Sequence, residues 1–410
     1  MKKLGFVIPW YAENIPGGAE SELRGLVNHL YDRGVELEVI TTCVEKFVSD
    51  WSRDFYPEGL DTATCHVPVR RFKVRKRDGD AFREVNRLLM AGKKVTPAQE
   101  QVYMREMINS PALCEYIREH KDEYSLFVFI PYMFGPVYNG SKECLEKAVY
   151  IPCFHDESYA YMGIFKELYP KVRAMMFNAP AEQRLANRLY DLKNVEQMVL
   201  GVGIDTDRTP DPEAFRAKFN IKDPFILYAG RKTEGKRVDL LLTYFNEYKR
   251  THKTDLKLVL IGGDTIEIPA GIKNDVYDLG FVDIQDKWNA YGAAELLCQP
   301  SPFESFSIVI MESWICGRPV LVSGACEVTK DFAVESGGGL YFNDYPEFEG
   351  CLDYIMSHKE TAGIMGQNGR KFVFDNFSWD AIIRKAMDFL GRIDRENEKA
   401  AKEEVKEEEA

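Results

Sequence analysis

Two glutamates eight residues apart could bind the hydroxyl groups at both ends of one ligand. Glu304 stands in a turn after an apolar run that ends at Gln299, and Glu312 lies in an apolar helix that begins near Ser307. Eight helical residues span at most about 12 Å, and at about 100° per residue the second carboxylate returns to within a quarter turn of the first. We therefore expect both carboxylates to face one cleft.

The start of this helix provides a third binding group. Backbone N–H groups at a helix N-terminus lack intrahelical partners and lie at the positive end of the helix dipole, which favours a phosphate. Phe306, Ser307 and Ile308 supply these groups here. Two carboxylates around a phosphate site suit a nucleotide-diphosphate sugar. The alternative, a turn residue and a solvated helix position, conflicts with the nearly all-apolar helix over residues 307–316.

Two cations follow an apolar run at residues 225–229 and precede a second amphipathic helix. Arg231 and Lys236 are placed to neutralise a leaving phosphate at the carboxyl end of a strand. Solvated cations at a helix start are the alternative for both. For Lys232 and Arg237, in the same segment, we favour that solvated interpretation.

Further candidates lie in the first half of the chain. Gly17 and Gly18 stand between the first strand and helix, where glycines let a backbone approach a phosphate or sugar closely. His155 directly follows a strand, with Asp156 as a less certain neighbour, and such a histidine commonly faces the ligand crevice of a parallel sheet. A purely structural His155 stays open.

The chain as a whole alternates short apolar runs with helical periodicity, which predicts an α/β fold of two doubly wound, Rossmann-like parallel-sheet domains. Its 410 residues exceed what one core usually supports. We expect an N-terminal domain at 1–205, a Pro- and Asp-rich linker at 206–224 and a C-terminal domain at 225–378. The expected strands cover residues 4–10, 37–41, 126–130, 148–153, 225–229, 256–261, 294–299 and 319–323.

Three further segments complete the expected organisation. The polar stretch at residues 45–120 is an elaboration that a minimal domain would not need. The helix at 379–393 carries one apolar stripe and is expected to pack back on the first domain. The charged segment at 394–410 lacks apolar periodicity and is expected to be a solvated helix end or a disordered tail.

Composition excludes several function classes. The formal charge of -12 argues against nucleic-acid binding. Nine scattered cysteines without a C-x-x-C indicate free thiols in a reducing cytosol, and no apolar stretch approaches the roughly 20 residues of a membrane helix. The D-x-D sequences at 78–80 and 205–207 lie in a charged loop and in the linker, so we expect neither a metal nor a cofactor.

The motif at residues 300–320 resembles the E-x7-E motif of retaining glycosyltransferases of the GT-B fold, specifically family 4, the glycosyl transferases group 1. Ser305 and Ser307 stand where that family commonly has glycines. The resemblance extends to residues 16–20, 200–205, 228–236 and 279–282. It covers nearly the whole chain and is most specific over residues 225–323.

The resemblance implies a role for each candidate. Arg231 and Lys236 would hold the donor diphosphate, and the backbone of Leu279 would meet the base. Glu304 would bind the sugar hydroxyls and Glu312 the ribose, while His155 would lie near the transferred sugar. Gly17 and Gly18 match the family's G-G-x-E loop, and the reaction would retain the anomeric configuration without a metal.

The expected function is transfer of a sugar from a nucleotide-diphosphate donor to a glycan or lipid-linked acceptor, in surface polysaccharide or glycolipid synthesis. The basic stretch at residues 69–77 could contact an anionic membrane at its inner face or form a solvated strand edge. A cytoplasmic protein is expected. A nucleotide-sugar-binding regulator and a nucleotide-sugar epimerase stay open as alternatives, and a nicotinamide dehydrogenase is disfavoured because its glycine fingerprint is absent.

Overall fold

The computed structural model describes residues 2–408 and divides the chain into two compact units. Unit 1 contains the chain up to Gly203 together with the segment from Ile382 onward, and unit 2 contains Ile204–Ala381. Each unit is built around its own parallel sheet, so the predicted α/β fold with two Rossmann-like domains is confirmed.

The sheet of unit 1 has the strand order β3-β4-β2-β1-β5-β6-β7-β8, in which only the β3–β4 pair is antiparallel. Its strands are β1 (Lys3–Val7), β2 (Leu37–Thr42), β3 (Gly59–Asp61), β4 (Val69–Phe72), β5 (Tyr124–Phe129), β6 (Ala148–Tyr150), β7 (Ala174–Phe177) and β8 (Glu196–Val199). The central strands β5, β6 and β7 are fully buried and almost entirely apolar because both faces of a parallel sheet are covered by helices.

Seven α-helices connect these strands. They are α1 (Gly18–Tyr31), α2 (Gly79–Met90), α3 (Pro97–Glu106), α4 (Pro111–His120), α5 (Gly135–Ser141), α6 (Gly163–Leu168) and α7 (Pro180–Leu189). In α1, buried residues recur at the helical period and pack on the sheet, namely Leu23, Leu26, Val27 and Leu30.

The polar stretch at residues 45–120 folds into β3, β4 and the helices α2 to α4. The first of these helices begins where Asp78 accepts hydrogen bonds from the N–H groups of Asp80 and Ala81, so this D-x-D sequence is a helix cap. Thr96 and Gln99 form a reciprocal capping box at the start of α3. Local capping therefore specifies helices that composition alone did not suggest.

The sheet of unit 2 is entirely parallel and has the order β11-β10-β9-β12-β13-β14. Its strands are β9 (Phe225–Ala229), β10 (Lys257–Ile261), β11 (Val276–Asp278), β12 (Leu296–Gln299), β13 (Val320–Ser323) and β14 (Gly339–Phe342). Its helices are α8 (Pro212–Phe219), α9 (Val238–Thr251), α10 (Ile284–Ala293), α11 (Ile308–Ile315), α12 (Glu327–Ser336), α13 (Tyr345–Ser357) and α14 (Lys359–Phe377).

Residues 206–224, predicted as a linker, instead belong to unit 2 and contain α8. Asp211 caps this helix by accepting a hydrogen bond from the N–H of Ala214, and Phe215 is buried. Arg216 donates to the carbonyl oxygen of Ala293 at 2.9 Å. Proline fits the first turn of a helix, because the N–H that it lacks would have no intrahelical partner there. Pro212 is accordingly the first residue of α8.

The last helix, α15 (Trp379–Glu408), continues well beyond the predicted end at residue 393. From Ile382 onward it belongs to unit 1, where Arg392 pairs with Glu196 at 3.1 Å and Arg173 donates to Asn397 at 2.7 Å. The charged segment from residue 394 is therefore helical up to residue 408, and residues 409 and 410 lie outside the described chain.

Candidate functional site

Glu304 lies in the irregular segment between β12 and α11, where it forms an ion pair. Its Oε1 accepts from Nζ of Lys236 at 2.6 Å, and both side chains are mostly buried. Lys236 reaches this position from a 3₁₀ turn at Glu234–Lys236, after which Arg237 takes a left-handed conformation and starts α9. Two of the predicted residues, 68 positions apart, thus lie in direct contact.

Glu312 is 7% exposed and lies inside α11, so the solvated interpretation of this residue is wrong. Its Oε1 accepts from Nζ of Lys287 at 2.5 Å, and its Oε2 accepts from the hydroxyl of Tyr291 at 2.8 Å. Burial and the nearby carboxylate of Glu312 raise the pKa of Tyr291 well above its usual value, which keeps that hydroxyl a donor.

Sequence reasoning missed Lys287 and Tyr291. Their four-residue spacing places both on one face of α10, a signal that the sequence does contain. Which residue that face meets depends on the packing of α10 beside α11, which no local pattern specifies.

Ser307 is the residue that precedes α11, and its backbone is left-handed with φ 73° and ψ 76°. Its side chain is buried, does not cap the helix and has no hydrogen-bond partner for its hydroxyl. The side chain of Phe306 packs edge-on against Phe332 and Phe377 in the core, so only its backbone can face a ligand. Ile308 is the first helical residue, which leaves its N–H without an intrahelical partner.

Arg231 is exposed in the turn after β9. Its neighbour Lys232, interpreted from the sequence as a solvated cation, is instead buried. Nζ of Lys232 contacts backbone carbonyl oxygens and the carboxylate of Asp278. Arg237 is exposed, as expected.

Leu279 follows β11 and donates its N–H to the carbonyl oxygen of Leu260 at 3.0 Å. Gly280 comes next with φ 63°, and Phe281 is 72% exposed with its ring against Gly263. The segment thus presents backbone and an aromatic ring at the carboxyl end of the sheet of unit 2.

In unit 1, Gly17 precedes α1 with φ 150°, a conformation that favours glycine. A Cβ atom there would lie 2.0 Å from the carboxylate of Glu20, which accepts a hydrogen bond from Nε1 of Trp10 at 2.6 Å. Gly18 is the first helical residue, and a Cβ there would meet open space. The backbone conformation of Gly17 therefore favours glycine, and a side chain there would displace the carboxylate of Glu20.

His155 is partly buried after β6, with Nδ1 3.2 Å from the carboxylate of Glu157. Asp156 is exposed and pairs with Arg188 at 2.6 Å. The backbone of this segment is fixed by the buried carboxylate of Glu182, which accepts a hydrogen bond from the N–H of Phe154 at 2.6 Å.

A buried acidic cluster lies beneath the His155 segment. Glu22 accepts from Nδ2 of Asn178 at 2.9 Å, and Cys153 contacts the same oxygen at 3.7 Å. Burial raises the pKa of Glu22 to about 8 and that of Glu182 to about 8, and the charge of Glu182 adds to the shift at Glu22. Sequence reasoning missed this cluster because the members come from two helices and two strand ends.

The basic stretch at residues 69–77 is largely engaged inside unit 1. Arg71 is buried and donates to the carbonyl oxygen of Tyr11, and Arg70 pairs with the buried Glu38 at 3.2 Å. Arg77 lies 4.8 Å from the centre of the Trp51 ring. These three arginines therefore contact the protein itself, and contact of residues 69–77 with an anionic membrane stays a prediction.

Within residues 2–408 the structure contains no cluster of three or more acidic, histidine or cysteine side chains that could hold a metal ion. The second D-x-D sequence places Asp205 against Nε1 of Trp379 at 3.0 Å and Arg208 at 3.0 Å. All nine cysteines are free thiols. Over the same described part of the chain, no helix is long and apolar enough to span a membrane.

Residues 211–372 match the family model of glycosyl transferases group 1. An uncharacterized glycosyltransferase of Methanocaldococcus jannaschii is 24% identical over 277 residues, which cover 63% of this chain and 67% of that protein. A D-inositol 3-phosphate glycosyltransferase of Frankia alni is 30% identical over 219 residues, 48% of this chain and 53% of that protein. The chain spans about half the length of most curated relatives it matches.

Solved structures match the fold over almost the whole chain. Sucrose-phosphate synthase from Thermosynechococcus elongatus has a TM-score of 0.69 at 15% identity, over 96% of this chain and 99% of that one. Anabaena HepE in complex with UDP-glucose has a TM-score of 0.67 at 15% identity, over 96% and 100%. Residues 211–372 thus form a glycosyl transferases group 1 domain, in a chain with the GT-B fold of two Rossmann-like domains.

Proposed function

We propose that this protein is a retaining glycosyltransferase of family 4 that uses a nucleotide-diphosphate sugar. The observation that carries the proposal is the arrangement around α11: Glu304 with Lys236 before the helix, and Glu312 with Lys287 and Tyr291 within it. Carboxylates for hydroxyl groups stand on either side of a helix N-terminus suited to phosphate. The match of residues 211–372 supports the same class.

The charges account for how the donor would be activated. Arg231, Lys236 and the N-terminus of α11 would stabilise the negative charge that develops on the departing nucleoside diphosphate. Glu304 would bind sugar hydroxyls and stabilise positive charge at the anomeric carbon, and Glu312 would bind the ribose. His155 is proposed to act beside the transferred sugar, as the family resemblance implies.

We propose a front-side displacement that needs no metal. The acceptor hydroxyl would approach on the face from which the diphosphate leaves, and the leaving phosphate oxygen would take the proton of that hydroxyl. The anomeric configuration would then be retained. Activity is expected to survive EDTA, and NMR of the product should show the anomer of the donor.

The acceptor is proposed to be a glycan or a lipid-linked saccharide in the cytoplasm, in surface polysaccharide or glycolipid synthesis. Several curated relatives are named for inositol phosphates or phosphatidyl-myo-inositol, which are hydroxyl-rich acceptors. Solved structures of the same fold contain UDP or UDP-glucose, so UDP-sugars are the first donors to test.

The deciding experiment measures nucleoside diphosphate release from UDP-, GDP-, ADP- and dTDP-sugars. We expect release from one donor class and a loss of at least about a hundredfold in Glu312→Ala, because that carboxylate is proposed to bind the ribose. Glu335→Ala, at an exposed position in α12, is the matched control and should keep full activity.

The alternatives predict different products. Binding of a donor without release would favour a nucleotide-sugar-binding regulator, and release of an epimerised nucleotide sugar without an acceptor would favour an epimerase. If no donor binds the folded protein, the proposed function is wrong.

A further inference from the structure

Lys232 is a lysine without an assigned role, and its side chain has no exposed surface. It comes directly after Arg231 in the turn that follows β9. A buried ammonium group is strongly unfavourable unless it is paired and all its N–H groups are hydrogen-bonded. The contacts of its ammonium group therefore indicate which parts of the structure this cation stabilises.

Nζ of Lys232 lies where three consecutive backbone carbonyl groups converge. It is 2.8 Å from the oxygen of Gly262, 3.3 Å from that of Gly263 and 3.0 Å from that of Asp264. The carboxylate of Asp278 completes the set at 3.1 Å. Carbonyl oxygens that point at one another repel, so this turn after β10 depends on the cation at its centre.

The same three loops are also joined through their backbones. Gly262 donates its N–H to the oxygen of Gly280 at 2.7 Å, and Gly230 donates to that of Ile261 at 2.9 Å. Gly262 has φ 121°, and a Cβ atom there would lie 2.1 Å from the oxygen of Gly230. The turns after β9, β10 and β11 thus pack closely around a single ammonium group.

These turns carry residues of the proposed donor site. Arg231 adjoins the lysine, and Asp278 immediately precedes Leu279, whose backbone is proposed to meet the base. We propose that Lys232 is a positioning residue, which fixes the loops that bind the nucleotide part of the donor. This inference rests on the proposed function, and it adds a residue that touches no donor atom.

The test compares Lys232→Met with Lys257→Met. Lys257 is a largely buried lysine at the start of β10, where it pairs with Asp275 at 2.7 Å, so its loss removes a comparable ion pair from the opposite end of the same sheet. Calorimetric titration with UDP, GDP, ADP and dTDP first identifies the nucleotide that the wild type binds. Circular dichroism then fixes a temperature at which every variant is folded.

We expect Lys232→Met to weaken binding of that nucleotide about tenfold or more, because small displacements of binding groups have large effects. Lys257→Met should lower the melting temperature yet keep the wild-type Kd. If Lys232→Met does not fold, Asp278→Asn replaces it, since this change removes the ionic partner of the lysine and keeps the shape of the side chain. Asp278→Asn should raise the Kd in the same direction by a smaller factor.

The outcomes separate this inference from the proposed function. If folded Lys232→Met, or Asp278→Asn where that variant is used, binds the nucleotide with the wild-type Kd, the positioning role is wrong and the proposed function still stands. Equal weakening in Lys232→Met and Lys257→Met would also overturn it, because a general loss of stability would then explain both. A wild type that binds none of the four nucleotides refutes the proposed function, and this inference with it.

Discussion

Ser307 combines two unfavourable features at the start of α11. Its left-handed backbone costs a residue with a Cβ atom about 1 kcal/mol or more. Its buried hydroxyl has no partner, which costs about 1–3 kcal/mol when such a group leaves water. Both features stand where the resembled family commonly has a glycine.

We predict that Ser307→Gly stabilises the protein by about 1 kcal/mol, since glycine removes both unfavourable terms but adds entropy to the unfolded chain. Urea unfolding followed by fluorescence measures the change. Ser307→Ala removes only the hydroxyl and should give a smaller gain. A Ser307→Gly variant less stable than the wild type would show that the backbone strain is not relieved.

Among single residues, the sequence identified candidates for the site where a residue type is unusual for its surroundings. Glu312 stands out in an apolar helix, and Glu304 follows from its spacing to that residue. Lys232 was misassigned because nothing local distinguishes a buried lysine from an exposed one in a turn. Its environment is formed by residues 30 to 46 positions away along the chain.

Among the elements, α1 and α7 bring two carboxyl groups together at the carboxyl ends of β6 and β7. Glu22 and Glu182 each have a pKa of about 8 in the fold against 4.5 in the unfolded chain. Between those values the folded state retains protons that the unfolded state has lost. The stability due to this pair is thus fully present below about pH 4.5 and declines as the pH rises towards 8.

We predict that Glu22→Gln flattens this decline. Each such carboxyl lowers the free energy of unfolding by up to about 1.4 kcal/mol per pH unit in that window. The variant should therefore lose less stability than the wild type between pH 5 and pH 8, as measured by thermal unfolding at a series of pH values. Glu84→Gln, at an exposed position in α2, is the control. Identical slopes for Glu22→Gln and the wild type would contradict the prediction.

Strongly apolar elements were predictable, whereas several polar or mixed elements were not. The strand at residues 225–229 was predicted with the bounds it has in the structure. In contrast, β8 was not predicted, because its sequence of Glu196, Gln197, Met198 and Val199 contains no apolar run of strand length. Helix α8 was missed because Asp211 and Pro212 were interpreted as linker composition, although Asp211 caps the helix and Pro212 is its first residue.

For the whole molecule, the segment from Ile382 completes unit 1. Its inward stripe is almost fully buried and consists of Ile382, Ile383, Ala386, Leu390 and Ile393. The sequence predicted both this stripe and its packing on the first domain, because an apolar stripe on a helix requires a covering surface. The length of the helix was not predictable, since its last turns carry charged residues that a helix and a disordered tail share.

We predict that truncation after Ala381 yields insoluble protein, because the surface beneath the stripe becomes exposed. Truncation after Lys399 keeps the stripe and the ion pair of Arg392 with Glu196, and should change the free energy of unfolding by less than about 1 kcal/mol. Soluble yield and size-exclusion chromatography compare the two. A soluble, monodisperse product of the shorter form would contradict the prediction.

The chain enters and leaves unit 2 at two neighbouring segments. Ile204 donates its N–H to the oxygen of Phe377 at 2.8 Å and forms a parallel bridge with Ser378. Unit 2 is therefore inserted into unit 1 between Gly203 and Ile382. During translation unit 2 therefore leaves the ribosome in full before the helical segment that completes unit 1, so unit 2 can fold while unit 1 still lacks that segment.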